Sequence, residues 1–215
     1  MAIRFKFLLI LVFFLALLTS SFAQDYQMHT LFNGSRHASG GYGAISNKFT
    51  KINGHFANLA EVYGGWYINH RFLLGVSGAA LTNNIPVAPE FSAQPGLDMS
   101  YEYGQCGLIT EYTLWANRAI HFSFEWFNGA GFTVQYYRPH YHDDSGWDNL
   151  DDHAHNTNWF FVTEPGLKLE MNVVRWMRFS PGVSYRAVYG SEGKGLSDNA
   201  LSALNVNLTL KFGHF

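Results

Sequence analysis

The last fifteen residues of the chain alternate between apolar and polar side chains. Every second position from 204 to 212 is apolar: Leu204, Val206, Leu208, Leu210 and Phe212. The positions beside them are small or polar: Ala203, Asn205, Asn207, Thr209 and Lys211. A period of two is typical of a β-strand with one face in an apolar medium and the other in a polar one. The pattern therefore predicts a strand that closes either a soluble barrel or sandwich, or a membrane-spanning barrel.

The same kind of alternation marks seven earlier segments. It is clearest over residues 120–137, where one face carries Ile120, Phe122, Phe124, Trp126, Phe132, Val134 and Tyr136. Alternation of this kind predicts half-buried strands. We predict strands over residues 38–50, 56–68, 71–83, 99–114, 120–137, 158–171 and 176–189, with 201–215 as the eighth.

The connections between these strands alternate in length after the first hairpin. They are short at 69–70, 115–119 and 172–175, and long at 84–98, 138–157 and 190–199. Each short turn carries Asn followed by Arg: Asn69 and Arg71, Asn117 and Arg118, Asn172 and Arg175. Outer-membrane barrels have short periplasmic turns and longer external loops. The layout predicts an all-β, eight-stranded antiparallel up-and-down barrel, with both of its ends on the periplasmic side.

The size of the apolar side chains decides between a soluble and a transmembrane β-barrel. An eight-stranded barrel has room inside for a modest side-chain core or one small ligand. The apolar faces carry too many Phe, Trp and Tyr rings to fit there, whereas the opposite faces are rich in Gly, Ser, Thr and Asn. We therefore predict that the large side chains face lipid and that the polar faces line a narrow interior. A closed barrel also leaves no sheet edge in lipid.

The start of the chain has the features of a secretory signal peptide. Arg4 and Lys6 precede an unbroken apolar run over residues 7–18, and Ser21 and Ala23 have the spacing of a cleavage site. The run is shorter than the ~20 apolar residues of a membrane helix, so a retained anchor is the weaker alternative. We predict a cleavable signal peptide over 1–23, a polar lead over 24–37 and the barrel over 38–215. This implies export to the outer membrane of a Gram-negative cell.

The composition narrows the possible partners. A formal net charge of −2 gives no sign of the clustered basic faces of nucleic-acid-binding proteins. The single cysteine, Cys106, cannot form an internal disulfide and falls on the predicted lipid face. We expect contact with outer-membrane lipid, no nucleic-acid partner, no cofactor and a monomeric barrel.

Three features of the chain together resemble a known group of proteins. They are the junction Ser21-Phe-Ala23/Gln24, the strands rich in glycine and aromatic residues, and the ending Leu208-Thr-Leu-Lys-Phe-Gly-His-Phe215. In these features the mature chain resembles the small outer-membrane β-barrel proteins of Bacteroidetes. The resemblance implies an architecture rather than an activity. It also implies that the barrel-assembly machinery reads the C-terminal strand ending in Phe215, although Phe215 falls in the inward phase of the alternation.

Two prolines lie inside predicted strands. Pro165 and Pro181 are at similar distances on either side of the short turn 172–175. Proline cannot donate a hydrogen bond to its neighbour in a sheet. We predict a matched pair of β-bulges at these positions.

The long segment before the sixth strand is dense in aspartate and histidine. It contains His140, His142, Asp143, Asp144, Asp148, Asp151, Asp152, His153 and His155. Imidazole and carboxylate groups suit zinc or another divalent transition metal, and His153 and His155 could supply two ligands. The weak candidates for metal ligands are His140, His142, Asp143, His153 and His155. A solvated acidic loop is the other interpretation, and the spacing fits no standard metal motif.

The predicted inward faces carry charges of both signs. They are Glu61, Glu111, Glu125, Glu164, Glu170, Lys168, Arg178, Arg186 and Lys211. Because unpaired charges would be costly in so narrow an interior, a salt-bridged filling is favoured over a conducting path. A narrow channel or small-solute transporter is the alternative function.

A catalytic trio is the third candidate site. His121, Ser123 and Glu125 share one face of a strand and could supply a base, a nucleophile and a carboxylate. Such spacing arises easily on any strand, and the trio lies beside a predicted periplasmic turn. A lipid-modifying enzyme is therefore the second alternative. The sequence favours an integral outer-membrane barrel with a structural or surface-interaction role and no catalytic residues.

Overall fold

The structure, a computed structural model, describes residues 39–69, 71–137, 154–213 and 215. The predicted signal peptide (1–23) and polar lead (24–37) lie outside this part of the chain. The long strands are β1 (Ser39–Ile52), β2 (His55–Ile68), β3 (Phe72–Leu81), β5 (Met99–Leu114), β6 (Ile120–Tyr137), β7 (Ala154–Val174), β8 (Met177–Tyr189) and β9 (Ala203–Gly213). Three short elements are β4 (Ile85–Pro86), a 3₁₀ turn (Pro89–Phe91) and α1 (Asp198–Leu201).

The eight long strands form a closed antiparallel barrel. Each pairs with its neighbours along the chain, and β3 pairs directly with β5. The first and last strands pair from Tyr42 with Gly213 to Phe49 with Val206, which closes the barrel as predicted. The two-residue β4 pairs only with the start of β5, so it adds to the predicted loop 84–98 rather than to the barrel wall.

The connections separate two ends of the barrel. On the turn side, residues 69–71, 115–119 and 175–176 join consecutive strands, and Phe215 lies at the same end. On the loop side, the connections are 53–54, 82–98, 138–153 and 190–202, of which 138–153 lies outside the described residues. Asn53 and Gly54 both have positive φ, the conformation that a two-residue hairpin turn of this twist requires. The predicted alternation of short and long connections is confirmed.

The predicted pair of bulges at the prolines is wrong. Pro165 pairs with Trp126 and Pro181 with Leu208, in ladders whose register is constant through each proline. Between β7 and β8 the pairing is interrupted beside each proline, yet the register is the same before and after. Proline removes one donor but fits an extended backbone. Because the other neighbouring strand holds each proline in line, one ladder is interrupted and no residue is inserted.

The outward side chains form an apolar belt, as the alternation predicts. It includes Ile45, Val62, Trp66, Leu74, Val76, Leu108, Phe124, Trp126, Phe161, Val183, Leu204, Val206 and Leu208. Cys106 is exposed on this surface. Aromatic contacts flank the belt at both ends. Trp176 and Phe212 stack near the turn side, with ring centroids 6.2 Å apart, and Phe49 and Phe56 stack near the loop side at 6.3 Å.

The longest strands exceed the ~9–11 residues that cross a bilayer. β6 has 18 residues and β7 has 21, so both extend beyond an apolar span toward the loop side. Within the described part of the chain, no helix is long and apolar enough to cross a membrane.

Candidate functional site: the barrel interior

The interior contains a network of buried ion pairs. We call it the ion-pair network; its members are Lys48, Glu61, Glu111, His121, Glu125, Glu164, Lys168, Glu170, Arg178 and Lys211. Every one of these side chains is inward-facing and buried. The sequence predicted all five carboxylates and three of the cations on the inward faces.

The turn-side half of the network is centred on Glu170. This carboxylate accepts hydrogen bonds from Lys211 and from the Arg178 guanidinium, the latter at 3.2 Å. The oxygen that accepts from Arg178 also lies 3.0 Å from Nε2 of His121. Lys211 in turn donates to Glu111 at 2.7 Å. One carboxylate is thus shared by three partners from β6, β8 and β9.

The central part of the network uses Lys168 and Lys48. Lys168 pairs with Glu125 and donates to the Tyr63 hydroxyl at 3.0 Å. Lys48 lies 2.9 Å from a carboxylate oxygen of Glu61 and 2.9 Å from one of Glu164. Serine hydroxyls add a hydrogen bond to each carboxylate: Ser77 donates to Glu61 and Ser184 to Glu164.

Pairing offsets the free-energy cost of burying these charges. Removing an ion from water costs several kcal/mol, and this cost is offset only when the partners are close and the remaining lone pairs are hydrogen-bonded. The network meets both conditions at Glu164, which contacts Lys48, Ser184 and Gln105. The predicted salt-bridged filling is therefore what the described residues form.

The sequence analysis did not predict that Lys48 faces the interior. The first strand is rich in glycine (Gly40, Gly41 and Gly43), which obscures the alternation that would have assigned its faces. The signal that could have found it lies further along. Ser46, Lys48 and Thr50 alternate with Ile45, Asn47 and Phe49, and the structure places the first three inward.

Arg186 faces inward as predicted, but it donates hydrogen bonds to backbone carbonyls rather than to the carboxylates of the ion-pair network. Its Nε donates to the carbonyl of Leu201 at 2.8 Å and its Nη2 to that of Lys51 at 2.9 Å. The guanidinium also lies over the Tyr103 ring, 4.9 Å from its centroid. Arg186 therefore attaches the 190–202 connection to the barrel wall.

The loop side of the interior is apolar, which the sequence analysis did not predict. We call this group the apolar cluster; it comprises Ile52, Ala57, Leu59, Leu81, Ile85, Tyr101, Tyr103, Phe127, Phe160, Val162, Val188, Leu196 and Leu201. Leu196 and Leu201 come from the 190–202 connection, which turns inward over the barrel. The Tyr101 hydroxyl donates to the carbonyl of Lys194 at 2.7 Å and holds this connection in place.

Two members of the candidate catalytic trio, His121 and Glu125, have separate partners. The imidazole of His121 contacts Glu170 through Nε2 and the carbonyl of Arg118 through Nδ1, both at 3.0 Å. Glu125 pairs with Lys168. Both ring nitrogens of His121 are thus engaged away from Ser123, so neither is free to act as a base toward this hydroxyl.

The metal hypothesis concerns residues that the structure does not describe. His140, His142, Asp143 and His153 lie outside the described ranges, as does the side chain of His155. Among the described residues, no three His, Cys, Asp or Glu side chains are grouped so that they could hold a metal ion.

Phe215 lies in the turn-side mouth of the barrel. Its ring centroid is 5.3 Å from that of Tyr42 and 6.4 Å from that of Tyr67. The Arg178 guanidinium lies 3.9 Å from the same ring. This location agrees with the inward phase noted in the sequence and gives Phe215 a packing role in the barrel itself.

Comparison with known proteins identifies the architecture. No protein-family model matches the chain, and no curated protein matches its sequence. Among solved structures, the chain is similar to the Neisserial surface protein A, with a TM-score of 0.56 and 6% identity over 83% of this chain and 99% of that one. It is also similar to a major outer membrane protein from Thermus thermophilus, with a TM-score of 0.52 and 10% identity over 82% of this chain and 100% of that one. At identities this low the likeness shows the fold alone, an eight-stranded β-barrel of the kind found in these small outer-membrane proteins.

Proposed function

We propose that the chain is an integral outer-membrane β-barrel protein with a structural or surface-interaction role, whose barrel is a closed scaffold for its loops. One observation carries this proposal: the barrel is apolar outside and filled with paired charges and an apolar cluster inside. The outside suits lipid, and the inside is occupied by side chains rather than by an open channel. The loops at one end are then the part of the molecule that meets other surfaces.

The cellular location follows from the same surface. We infer that the chain is exported by its N-terminal signal and inserted in the outer membrane of a Gram-negative cell. The apolar belt and the two aromatic contacts at its ends support this placement. The resemblance of the strands and the C-terminal segment to the small barrels of Bacteroidetes supports a source in that group. One structural neighbour is named a surface protein, which is consistent with the proposed role.

A closed scaffold is favoured over a channel. Any solute crossing from the loop side would have to displace the apolar cluster, in which Ile52, Leu59 and Phe127 are fully buried. It would then have to separate ion pairs such as Lys48–Glu164. Both steps are costly, because the first opens a packed core and the second leaves charges unpaired.

A non-enzymatic role is part of the proposal. The groups that could act as base or nucleophile, such as His121 and Glu125, are held by Glu170 and Lys168 inside the barrel. They are buried, so a lipid in the surrounding bilayer has no path to them.

Assembly is proposed to use the C-terminal strand. β9 closes the barrel on β1 and therefore has a free edge until the last step of folding. We infer that the assembly machinery binds β9 at this stage. The outward side chains of β9, including Phe212, are then exposed, whereas Phe215 enters the barrel mouth only when β1 is in place.

Two measurements test the proposal. The protein should be found in the outer-membrane fraction, and its folded form should migrate faster on a gel before heating than after. The same heat-modifiable sample should show no reproducible unit conductance in planar bilayers. A porin reconstituted at the same protein-to-lipid ratio is the positive control. A soluble periplasmic protein without the heat-dependent shift would contradict membrane insertion. A steady unit conductance would instead contradict only the closed scaffold.

A further inference from the structure

The turn side of the barrel contains a cavity of about 780 Å³. Its walls include Asn69 and Arg71 of the β2–β3 turn, Asn117 of the β5–β6 turn, Asn172 and Arg175 at the β7–β8 turn, and Arg178 of β8. All three asparagines and two of the three arginines of the short turns, scattered along the sequence, are thus brought to one place. A volume of this size is in the range of small-ligand sites, roughly 300–1,000 Å³.

The charged side chains that line the cavity are all arginines, with no Asp or Glu among them. Three guanidinium groups line it, and three carboxamides add further hydrogen-bond donors. Of the three guanidiniums, only that of Arg178 forms an ion pair within the described part of the chain, with Glu170 at 3.2 Å. The guanidiniums of Arg71 and Arg175 have no carboxylate partner in this part of the chain. This makes the wall unlike the barrel centre, where each lysine is paired with at least one carboxylate.

Arg178 supplies an independent sign of an absent ligand. The residue is 4% exposed, and its Nε has no hydrogen-bond partner among the described residues. The Phe215 ring, 3.9 Å from the guanidinium, covers one face of the group but offers no acceptor in its plane. A buried donor without an acceptor is costly, and an anion in the cavity would provide one.

We propose that this cavity binds a soluble oxyanion that carries two or more negative charges. Guanidinium groups bind phosphate and carboxylate oxygens through paired N–H donors, so both chemistries fit the wall. The three arginines come from two separate hairpins, Arg71 from β2–β3 and Arg175 and Arg178 from β7–β8, which favours a ligand with several charged oxygens over a single small ion. The site faces the turn side, opposite the large loops, and adds a ligand to the scaffold role proposed above.

Calorimetry on the folded full-length protein in a neutral detergent tests this proposal. Pyrophosphate and citrate are the probes, one for phosphate and one for carboxylate chemistry. Saturable binding of either is expected, and the tighter probe identifies the chemistry. Arg71→Gln and Arg175→Gln should each weaken it by at least about tenfold, the effect of losing one charge-assisted hydrogen bond. Higher salt should weaken it further.

Arg118→Gln is the matched control. It removes the same charge from the same end of the barrel, but its guanidinium lies over the Trp115 ring at 5.7 Å and is not part of the cavity wall. Its binding should equal that of the unchanged protein. Each variant must first show heat-modifiable migration, so that lost binding is not lost folding.

Three results would overturn the proposal. One is the absence of saturable binding of either probe. Another is equal weakening by Arg118→Gln and Arg175→Gln, which would indicate general attraction to a basic rim. The third would be seen with the protein in nanodiscs made with and without phosphatidylglycerol. If this anionic lipid binds and neither soluble probe does, the arginines bind lipid headgroups and not a soluble ligand.

Discussion

The centre and the loop side of the barrel interior are filled by different chemistry. At the centre, charges such as Lys48, Glu61 and Glu164 are paired at 2.9 Å, and serine hydroxyls donate to the two carboxylates. On the loop side, aliphatic and aromatic side chains pack against a connection that turns inward. The same wall of strands therefore encloses a polar region and an apolar one.

The two kinds of interior filling are stabilised in different ways. An apolar cluster is stabilised by burial itself, at roughly 25 cal/mol per Å² of apolar surface. A buried ion pair contributes only while both partners are present, because either one alone is an uncompensated charge. We therefore expect the centre to be sensitive to the loss of one partner and the loop side to the loss of volume.

The largest effect is expected at Glu170. Replacing Glu170 by leucine leaves Lys211 and Arg178 with fewer acceptors, so the variant should lose about 4 kcal/mol of unfolding free energy. Urea unfolding in detergent micelles, followed by tryptophan fluorescence, measures this loss. The same change at the exposed loop residue Glu192 is the control and should stay within about 0.5 kcal/mol.

A second substitution sharpens this result. Adding Arg178→Met to Glu170→Leu removes the cation whose one ion pair among the described residues is with Glu170, and it should restore part of the lost stability. If the double variant is less stable than Glu170→Leu alone, the destabilisation does not come from an unpaired Arg178.

A somewhat smaller effect is expected in the apolar cluster. Leu201 is fully buried and belongs to the connection over the loop side. Leu201→Ala should cost about 3 kcal/mol, since a cavity is left in a packed core. Leu208→Ala, the same change on the lipid-facing surface, should cost clearly less because detergent or lipid chains can fill the space. Equal losses in the two variants would mean that the loop side is not a packed core.

The smallest effect is expected at the turn-side mouth. Phe215→Ala removes the ring beside Arg178 and should lower the unfolding free energy by about 1 kcal/mol, the order of a cation–π contact. The yield of folded protein in cells is measured in parallel. A large fall in yield with this small change in stability would mean that Phe215 is also read during assembly. A loss of several kcal/mol would instead make the ring a main element of the fold.

The sequence was a good guide where the pattern is local. Strand β6 was predicted over its observed range, because large apolar side chains alternate with polar ones along its whole length. The prolines were misjudged, since Pro165 and Pro181 suggest a break when only their own strand is considered. Their neighbours across the sheet, Trp126 and Leu208, hold the register, and those partners are set by the fold.

The arrangement of the interior was predicted only in part, because contacts across the barrel also depend on the fold. Alternation identifies which side chains face inward, so Glu111, Glu170 and Lys211 could be named. It does not say which of them meet, because Lys48 and Glu164 are 116 positions apart and come together only through the stagger of the strands. The inward path of the 190–202 connection was equally hidden, since a Gly- and Ser-rich segment gives no sign of where Leu196 and Leu201 pack.

By itself, the sequence determined the two faces of the wall, the number of long strands and the pairing of the first with the last. These follow from a period of two and from the length of the connections, which are properties of neighbouring residues. The tertiary structure alone decided the partners of the buried charges, the apolar cluster and the gathering of turn arginines around one cavity. These depend on distances across the barrel, which are fixed only when the strands close with a particular register.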